Sequence, residues 1–143
     1  MSVKTILQAK GRDVATAGAA DSVASAIATL AERRIGALVI VKDGGGIAGI
    51  LSERDIIRAL GKDGAGALKQ PVSTYMTAKV KTCTETNTVN DVMAIMTAGR
   101  FRHLPVVHDG KLAGIVSIGD VVKKRIHDVE HEAEAIRAYI ASA

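Results

Sequence analysis

The sequence predicts an α/β (α+β) fold: two tandem β-α-β-β-α units followed by an extended C-terminal helix. Three observations carry this. First, the chain repeats itself. A shift of 66 positions lays Thr16, Val23, Ala28, Arg34, Leu38, Val41, Asp43 and Gly44 on Thr82, Val89, Ala94, Arg100, Leu104, Val107, Asp109 and Gly110. With one glycine dropped from the first copy, Ala48-Gly49-Ile50 meets Ala113-Gly114-Ile115, Ser52 meets Ser117 and Asp55 meets Asp120. Second, each copy carries a helix-period apolar stripe followed by a continuous apolar run. Third, each run ends in Asp-Gly, a strong hairpin signal because glycine enters positive φ at no steric cost.

In chain order, each copy opens with a short β-prone piece, Val14-Ala15-Thr16 or Val80-Lys81-Thr82. A helix follows. Asp21 or Ser22 can cap the first, with Val23, Ala26, Ile27 and Leu30 on one face; Asn87 or Thr88 can cap the second, with Val89, Val92, Met93 and Met96. Cap oxygens satisfy free N–H groups and the stripe is the buried face. The strands Leu38–Val41 and Leu104–Val107 lead through Asp43-Gly44-Gly45-Gly46 and Asp109-Gly110-Lys111 into return strands at Ile47–Leu51 and Leu112–Val116. A second helix begins near Arg54 or Gly119. In copy one it stops by Gly61, and Gly61–Gly66 reads as a loop before Pro71. In copy two it runs on, with Val122, Ile126, Val129, Ala133, Ile136 and Ile140 stepping by 4, 3, 4, 3, 4. Such a seam docks on the body or pairs with another helix.

At 143 residues the chain is one compact domain, because each half alone buries too small a core. Apolar residues make up 48% and charged residues 24%, ordinary for a globular chain. No apolar run approaches the length of a membrane span, and the start turns polar too soon for a secretory signal. The single cysteine, Cys83, forms no internal disulfide or cysteine-based metal site. These features point to the cytoplasm and away from membranes. The net charge of +4 suits a phosphate ligand or nucleic acid. One Phe, two Tyr and no Trp leave almost no stacking platform, which disfavours single-strand binding.

The polar groups that repeat are Ser52-Glu53-Arg54-Asp55 and Ser117-Ile118-Gly119-Asp120. Each serine ends a strand, and each aspartate lies in the first helical turn. Unpaired N–H groups there favour an anion, and the carboxylate can take both hydroxyls of a ribose. The same spacing is also a capping box. Ahead of each hairpin lie Arg33-Arg34-Ile35-Gly36-Ala37 and Arg100-Phe101-Arg102-His103. Arginine forks suit phosphate, and the same arginines can simply complement a helix end. Gly36 and Ala37 leave room for a flat base. Gly44-Gly45-Gly46 lacks the Lys-Ser/Thr end of a phosphate loop, and His127 with His131 lacks a zinc pattern. No nucleophile–base–orienter set is visible, which argues against an enzyme.

These motifs resemble the tandem cystathionine β-synthase-type (CBS) domain pair, or Bateman module. The carrying residues are Ile35-Gly36-Ala37-Leu38 and Gly49-Ile-Leu-Ser-Glu-Arg-Asp55 in copy one. In copy two they are Tyr75-Met76-Thr77, Phe101–Val107, Asp109–Ser117 and Asp120. The resemblance implies repeats at residues 5–68 and 69–126, a helical extension at 127–143, and a pseudo-twofold axis with two clefts between the copies. One cleft would use Ser117 and Asp120 with Gly36, Ala37, Lys10, Val14 and Ala15. The other would use Ser52, Arg54 and Asp55 with Met76, Val80 and Lys81. Arg102 and His103 would lie near the axis and serve phosphates.

The family's ligands are adenosine derivatives: AMP first among the expectations here, with ADP, ATP, NAD(H) or S-adenosylmethionine as alternatives. The implied protein is a non-catalytic, homodimeric regulator that signals energy or redox state to another protein. Two departures stand out. Val39 replaces a frequent proline, and Gly119 replaces a frequent arginine, which weakens phosphate grip at Asp120. Competing readings are a dimeric interaction module with vestigial clefts, built on the helical seam, and a weak nucleic-acid binder using Lys123-Lys124-Arg125.

Overall fold

The computed structural model describes residues 2–142. It contains an element the sequence reading did not anticipate, helix α1 (Val3–Lys10), ahead of the first copy. Copy one then gives β1 (Thr16–Gly18), α2 (Val23–Arg33), β2 (Ala37–Val41), β3 (Ile47–Ser52) and α3 (Glu53–Asp63). Copy two gives α4 (Val89–Gly99), β4 (His103–His108), β5 (Lys111–Ser117) and α5 (Ile118–Ser142). β1 runs parallel to β2, which pairs antiparallel with β3; β4 and β5 form a separate antiparallel pair. The two hairpins slip register at equivalent places, Ile40/Val41 and Val106/Val107, so the duplication extends to their irregularities.

The expected first strand of copy two, Val80-Lys81-Thr82, does not form. Only Cys83 bridges β4, donating to Pro105 O at 3.0 Å and accepting from Val107 N at 2.8 Å. The cause is a single residue. In copy one Val39 N donates to Ala15 O at 3.1 Å. The equivalent donor in copy two would be residue 105, which is proline and has no N–H. The strand of copy one also sits later than expected, at Thr16–Gly18, with Val14 and Ala15 half-buried ahead of it.

Ser22 and Thr88 are the caps of α2 and α4; each side chain accepts from the N–H three residues on, and Asp91 completes a capping box at Thr88. The helix expected to stop by Gly61 continues to Asp63, and Gly64–Lys69 forms a 3-10 turn rather than a free loop. Both α2 and α4 end on an arginine in the left-handed region, Arg34 at φ 54° and Arg100 at φ 55°. A side chain there costs about 1–2 kcal/mol, which glycine avoids. Arg34 is exposed. Replacing it (Arg34→Gly) is expected to raise the unfolding free energy by about 0.5–1 kcal/mol, the strain relief exceeding the added unfolded-chain entropy. Urea denaturation checks this, and a lower midpoint would show that the Arg34 side chain itself stabilises the helix end.

The core is divided in two, and the division crosses the repeats. Val23, Ala26, Leu30, Leu38, Ile40, Leu51 and Ile56 of copy one are joined by Val72, Tyr75 and Met76 from the segment leading into copy two. Val89, Val92, Met96, Leu104, Val106 and Val116 of copy two are joined by Val3, Ile6 and Leu7 of α1. Each copy's sheet is thus covered by the segment that precedes the other copy. The repeated glycines make this possible. A Cβ at Gly49 would lie 2.7 Å from Met76 Sδ and 2.7 Å from Thr77 O; one at Gly114 would lie 2.9 Å from Leu7 Cδ2.

The C-terminal helix forms as expected, but its seam does not dock on the body. α5 buries Val121 and Asp128, while Val122, Ile126, Val129, Ile136 and Ile140 are exposed.

Candidate functional site

A cleft of about 530 Å³ opens at the junction of β3 and α3. Ser52 is the N-cap of α3 and Asp55 lies in its first turn. Asp55 Oδ2 accepts from Ser52 N at 2.9 Å and from Ser52 Oγ at 3.0 Å, and Ser52 Oγ accepts from Asp55 N at 3.3 Å. The capping box is real. It occupies only Oδ2, and Asp55 Oδ1 makes no hydrogen bond among the described residues. The carboxylate is therefore held rigidly with one oxygen turned to other partners. The geometry serves both readings of the Ser-x-x-Asp motif.

Around Asp55 the cleft gathers six cationic side chains against two carboxylates, Glu53 and Asp55. Arg54 and Arg58 come from α3, Lys79 and Lys81 from the segment after the linker, and Arg100 and Arg102 from the end of α4 and the turn into β4. Without bound anions such a cluster repels itself, and the low-dielectric walls of a cleft concentrate its field. Ile50, Val80 and Phe101 supply apolar wall. Gly99 makes room for Phe101, whose ring lies where a Cβ on residue 99 would sit.

Two pieces of backbone fix the rim symmetrically. Glu53 N donates to Gly36 O at 2.9 Å, and Ile118 N donates to Arg102 O at 2.7 Å, which are equivalent bonds of the repeat. His103 stands where the halves meet. A Cβ on Gly36 would lie 3.3 Å from its Cε1, so glycine lets the imidazole close over the strand entry. Burial lowers the His103 pKa below its ordinary value; Glu53 and Asp120 oppose that shift, and Lys10 and Arg102 add to it. One imidazole thus faces charges of both candidate clefts.

The Asp120 side repeats the capping geometry, with Ser117 N donating to Asp120 Oδ2 at 2.9 Å and Asp120 N to Ser117 Oγ at 3.1 Å. It differs in its partner. Lys10, at the end of α1, donates to Asp120 Oδ2 at 2.7 Å and to Ile115 O at 3.0 Å. Burial pushes the Asp120 pKa up, but the Lys10 and Ser117 hydrogen bonds and the Lys10 charge outweigh it and leave the carboxyl below its ordinary range.

Of the residues expected around Asp55, Ser52, Arg54, Val80 and Lys81 line its cleft, with Arg102 and His103. Met76 does not; it packs over Gly49 in the core of copy one. Of those expected around Asp120, Ser117 and Lys10 are in place. Gly36 instead lines the Asp55 cleft, and Ala37 is buried in β2 opposite Ser52. Arg58 and Lys79 were missed. Arg58 lies four residues after Arg54 on the same helix face, and Lys79 two before Lys81 in extended chain; both spacings were readable. Among the described residues no group of three His, Cys, Asp or Glu could hold a metal ion, and no helix is long and apolar enough to cross a membrane. Cys83 is buried, and burial pushes its thiol up to about 11.

Comparison with known proteins agrees with this architecture. The CBS domain family model matches twice, at residues 4–62 and 72–127. The CBS domain-containing protein CBSX3, mitochondrial, of Arabidopsis thaliana is 38% identical over 84% of this chain, which spans 60% of that relative's length. The crystal structure of the CBS-domain containing protein ATU1752 from Agrobacterium tumefaciens superposes with a TM-score of 0.84 at 48% identity, covering 87% of this chain and 92% of that one. The CBS domain pair of protein MJ0100, solved in complex with 5-methylthioadenosine and S-adenosyl-L-methionine, superposes with a TM-score of 0.80 at 28% identity, covering 90% and 98%. With the duplicated hairpins, the paired Ser-x-x-Asp helix starts and both family matches in hand, this chain belongs to the CBS domain family and carries two CBS domains in tandem.

Proposed function

We propose that the chain is a regulatory module that binds an adenine nucleotide in the Asp55 cleft and passes the resulting shift in conformation to another protein. The observation that carries this reading is the ring of six cations around a carboxylate with a free oxygen. Asp55 Oδ1 would accept a ribose hydroxyl, the arginines would take phosphate, and Ile50 and Val80 would flank the base. The adenosine ligands of the MJ0100 domain pair support the nucleoside part.

The number of cations reorders the candidate ligands. A monophosphate would neutralise little of the cluster, and S-adenosylmethionine adds a positive sulfonium to an already positive cleft. ADP or ATP, or NAD(H) with its pyrophosphate, matches the charge better than AMP. Because Arg54 and Arg58 belong to copy one and Arg100 and Arg102 to copy two, a polyphosphate would tie the halves together. Such a ligand favours the arrangement that holds these arginines together and shifts the population toward it. The Asp120 side is occupied by the chain's own Lys10, so one nucleotide per chain is expected.

Thermal melting with ATP, ADP, AMP, NADH and S-adenosylmethionine tests this. A ligand at about 100 times its Kd adds about 2.7 kcal/mol to native stability, a readily measured rise in melting temperature. The rise is expected to be largest for ATP or ADP, to vanish in Asp55→Ala and to persist in Asp120→Ala. Loss in Asp120→Ala alone would move the site to the other cleft, and no rise with any compound would sink the reading.

His103 adds a pH signature. Its folded pKa lies below its ordinary value, so it is neutral at neutral pH, and the stability tied to its neutral form is lost as pH falls through that folded value. A phosphate anion beside it raises the pKa of the bound form. Binding is then expected to take up protons and to strengthen as pH falls from neutrality. Calorimetry in buffers of different ionisation enthalpy checks this, and a buffer-independent heat would exclude it.

A further inference from the structure

Asp128 is a buried charge that the Asp55 cleft does not use. It stands 9% exposed, on the face of α5 that turns to the body. Its Oδ1 is taken: Lys124 Nζ lies 3.2 Å away and His127 Nδ1 3.7 Å away. Its Oδ2 is closed to bulk water and has no hydrogen-bond partner among the described residues. A buried acceptor left in this way costs free energy and calls for a ligand or an ordered water. Burial pushes the Asp128 pKa up, but Lys124 and His127 outweigh it and hold the carboxyl below its ordinary value. At neutral pH the group is therefore an ionised acceptor with no proton to give.

The same carboxylate lines a pocket of about 280 Å³ between the start of α4 and the third turn of α5, with Thr88, Val89, Asn90 and Arg125. This pocket shares no residue with the Asp55 cleft. Its remaining wall is rich in donors. Thr88 Oγ accepts from Asp91 N, but the N–H groups of Val89 and Asn90 bind nothing among the described residues. They open a helix of 11 residues, whose dipole favours an anion. Arg125 is exposed and makes no ion pair among the described residues. One space thus gathers donors that attract an anion and a carboxylate that repels one. Lys124 and His127 already bring positive charge to that carboxylate, so a cationic ligand adds little. The ligand that reconciles both walls is an anion that still carries a proton. Its bare oxygens take the two N–H groups and the Arg125 fork, and its O–H donates to Asp128 Oδ2. Monohydrogen phosphate has this make-up at neutral pH. Sulfate, of similar size and shape, has no proton to offer.

We propose that the pocket between α4 and α5 is a site for monohydrogen phosphate, selected over sulfate by the proton it gives to Asp128. Bound there, the anion ties α5 to the helix it packs on. Backbone amide NMR of the full chain tests this at the site itself, because anions entering the Asp55 cleft register at other amides. Millimolar phosphate is expected to move the Val89 and Asn90 signals. Sulfate is expected to bind there about tenfold or more weakly, the loss of one charge-assisted hydrogen bond. Glycerol phosphate separates free phosphate from a phosphate ester. With a second pKa of about 6 it is a full dianion above neutrality, so there it is expected to behave like sulfate. Asp128→Asn can turn an amide N–H to where Oδ2 stands, and is expected to bring phosphate and sulfate to similar affinity. Arg125→Ala, at an exposed position, is expected to keep the fold and weaken phosphate. Equal response to sulfate or glycerol phosphate, a preference that survives Asp128→Asn, or Val89 and Asn90 signals unmoved by any anion would each overturn the proposal.

Discussion

Leu7→Ala is expected to cost about 3 kcal/mol of unfolding free energy, within the usual 2–5 kcal/mol for a buried leucine, and to loosen the far half of the molecule. Leu7 is fully buried, yet its neighbours are not those of its own end of the chain. Its side chain lies over Gly114 and belongs to the cluster of Val92, Met96, Leu104, Val106 and Val116. Truncation leaves a cavity against β5 that backbone relaxation cannot close, because α1 is also anchored by Val3 N and Lys4 N donating to Asn87 O and Glu85 O. Urea denaturation measures the loss, and Ile57→Ala serves as the comparison: 70% exposed, it is expected to change stability by less than about 0.5 kcal/mol. Equal effects would mean that α1 does not complete the second core. By the same packing an isolated repeat would lack the segment that covers its sheet.

The duplication, the hairpins, the helix stripes and the Ser-x-x-Asp pairs were legible because they are local patterns with a fixed period. What escaped was non-local. The exchange of covering segments could not be read from Val3–Lys10 or Val72–Met76, whose apolar residues say that they are buried but not against which half. The missing strand at Val80–Thr82 depended on Pro105, some 25 residues away. Gly36 marks the same limit at the site: the resemblance put it with Asp120, and only packing shows it lining the Asp55 cleft, whereas Lys10 stands beside Asp120 as the resemblance implied. Exposure of the α5 seam was equally hidden, because the 4, 3 spacing is the same whether the stripe faces the body or another chain.

Gly49→Ala is expected to damage stability and binding together, because part of its clash is with backbone. The added Cβ would meet Met76 Sδ and Thr77 O at 2.7 Å. The sulfur can rotate away, but Thr77 O is backbone, fixed by accepting from Ile50 N at 3.0 Å while Thr77 N donates to Ile50 O at 2.9 Å. Relief therefore requires breaking this two-bond bridge, and overpacking of this kind costs about 1–3 kcal/mol. The bridge also sets where the chain leaves β3 for Lys79 and Lys81, two of the six cations of the cleft. Losing one charge-assisted contact, about 1.5–3 kcal/mol, weakens nucleotide affinity by about tenfold or more. Gly114→Ala is the control from the other repeat. Its nearest neighbour is the end of the Leu7 side chain rather than backbone, and no cleft cation depends on it, so stability falls less and affinity holds. Melting curves with and without ATP separate the two effects. Equal loss of affinity in both variants would show that the linker does not position the cations and that the cleft forms without the bridge.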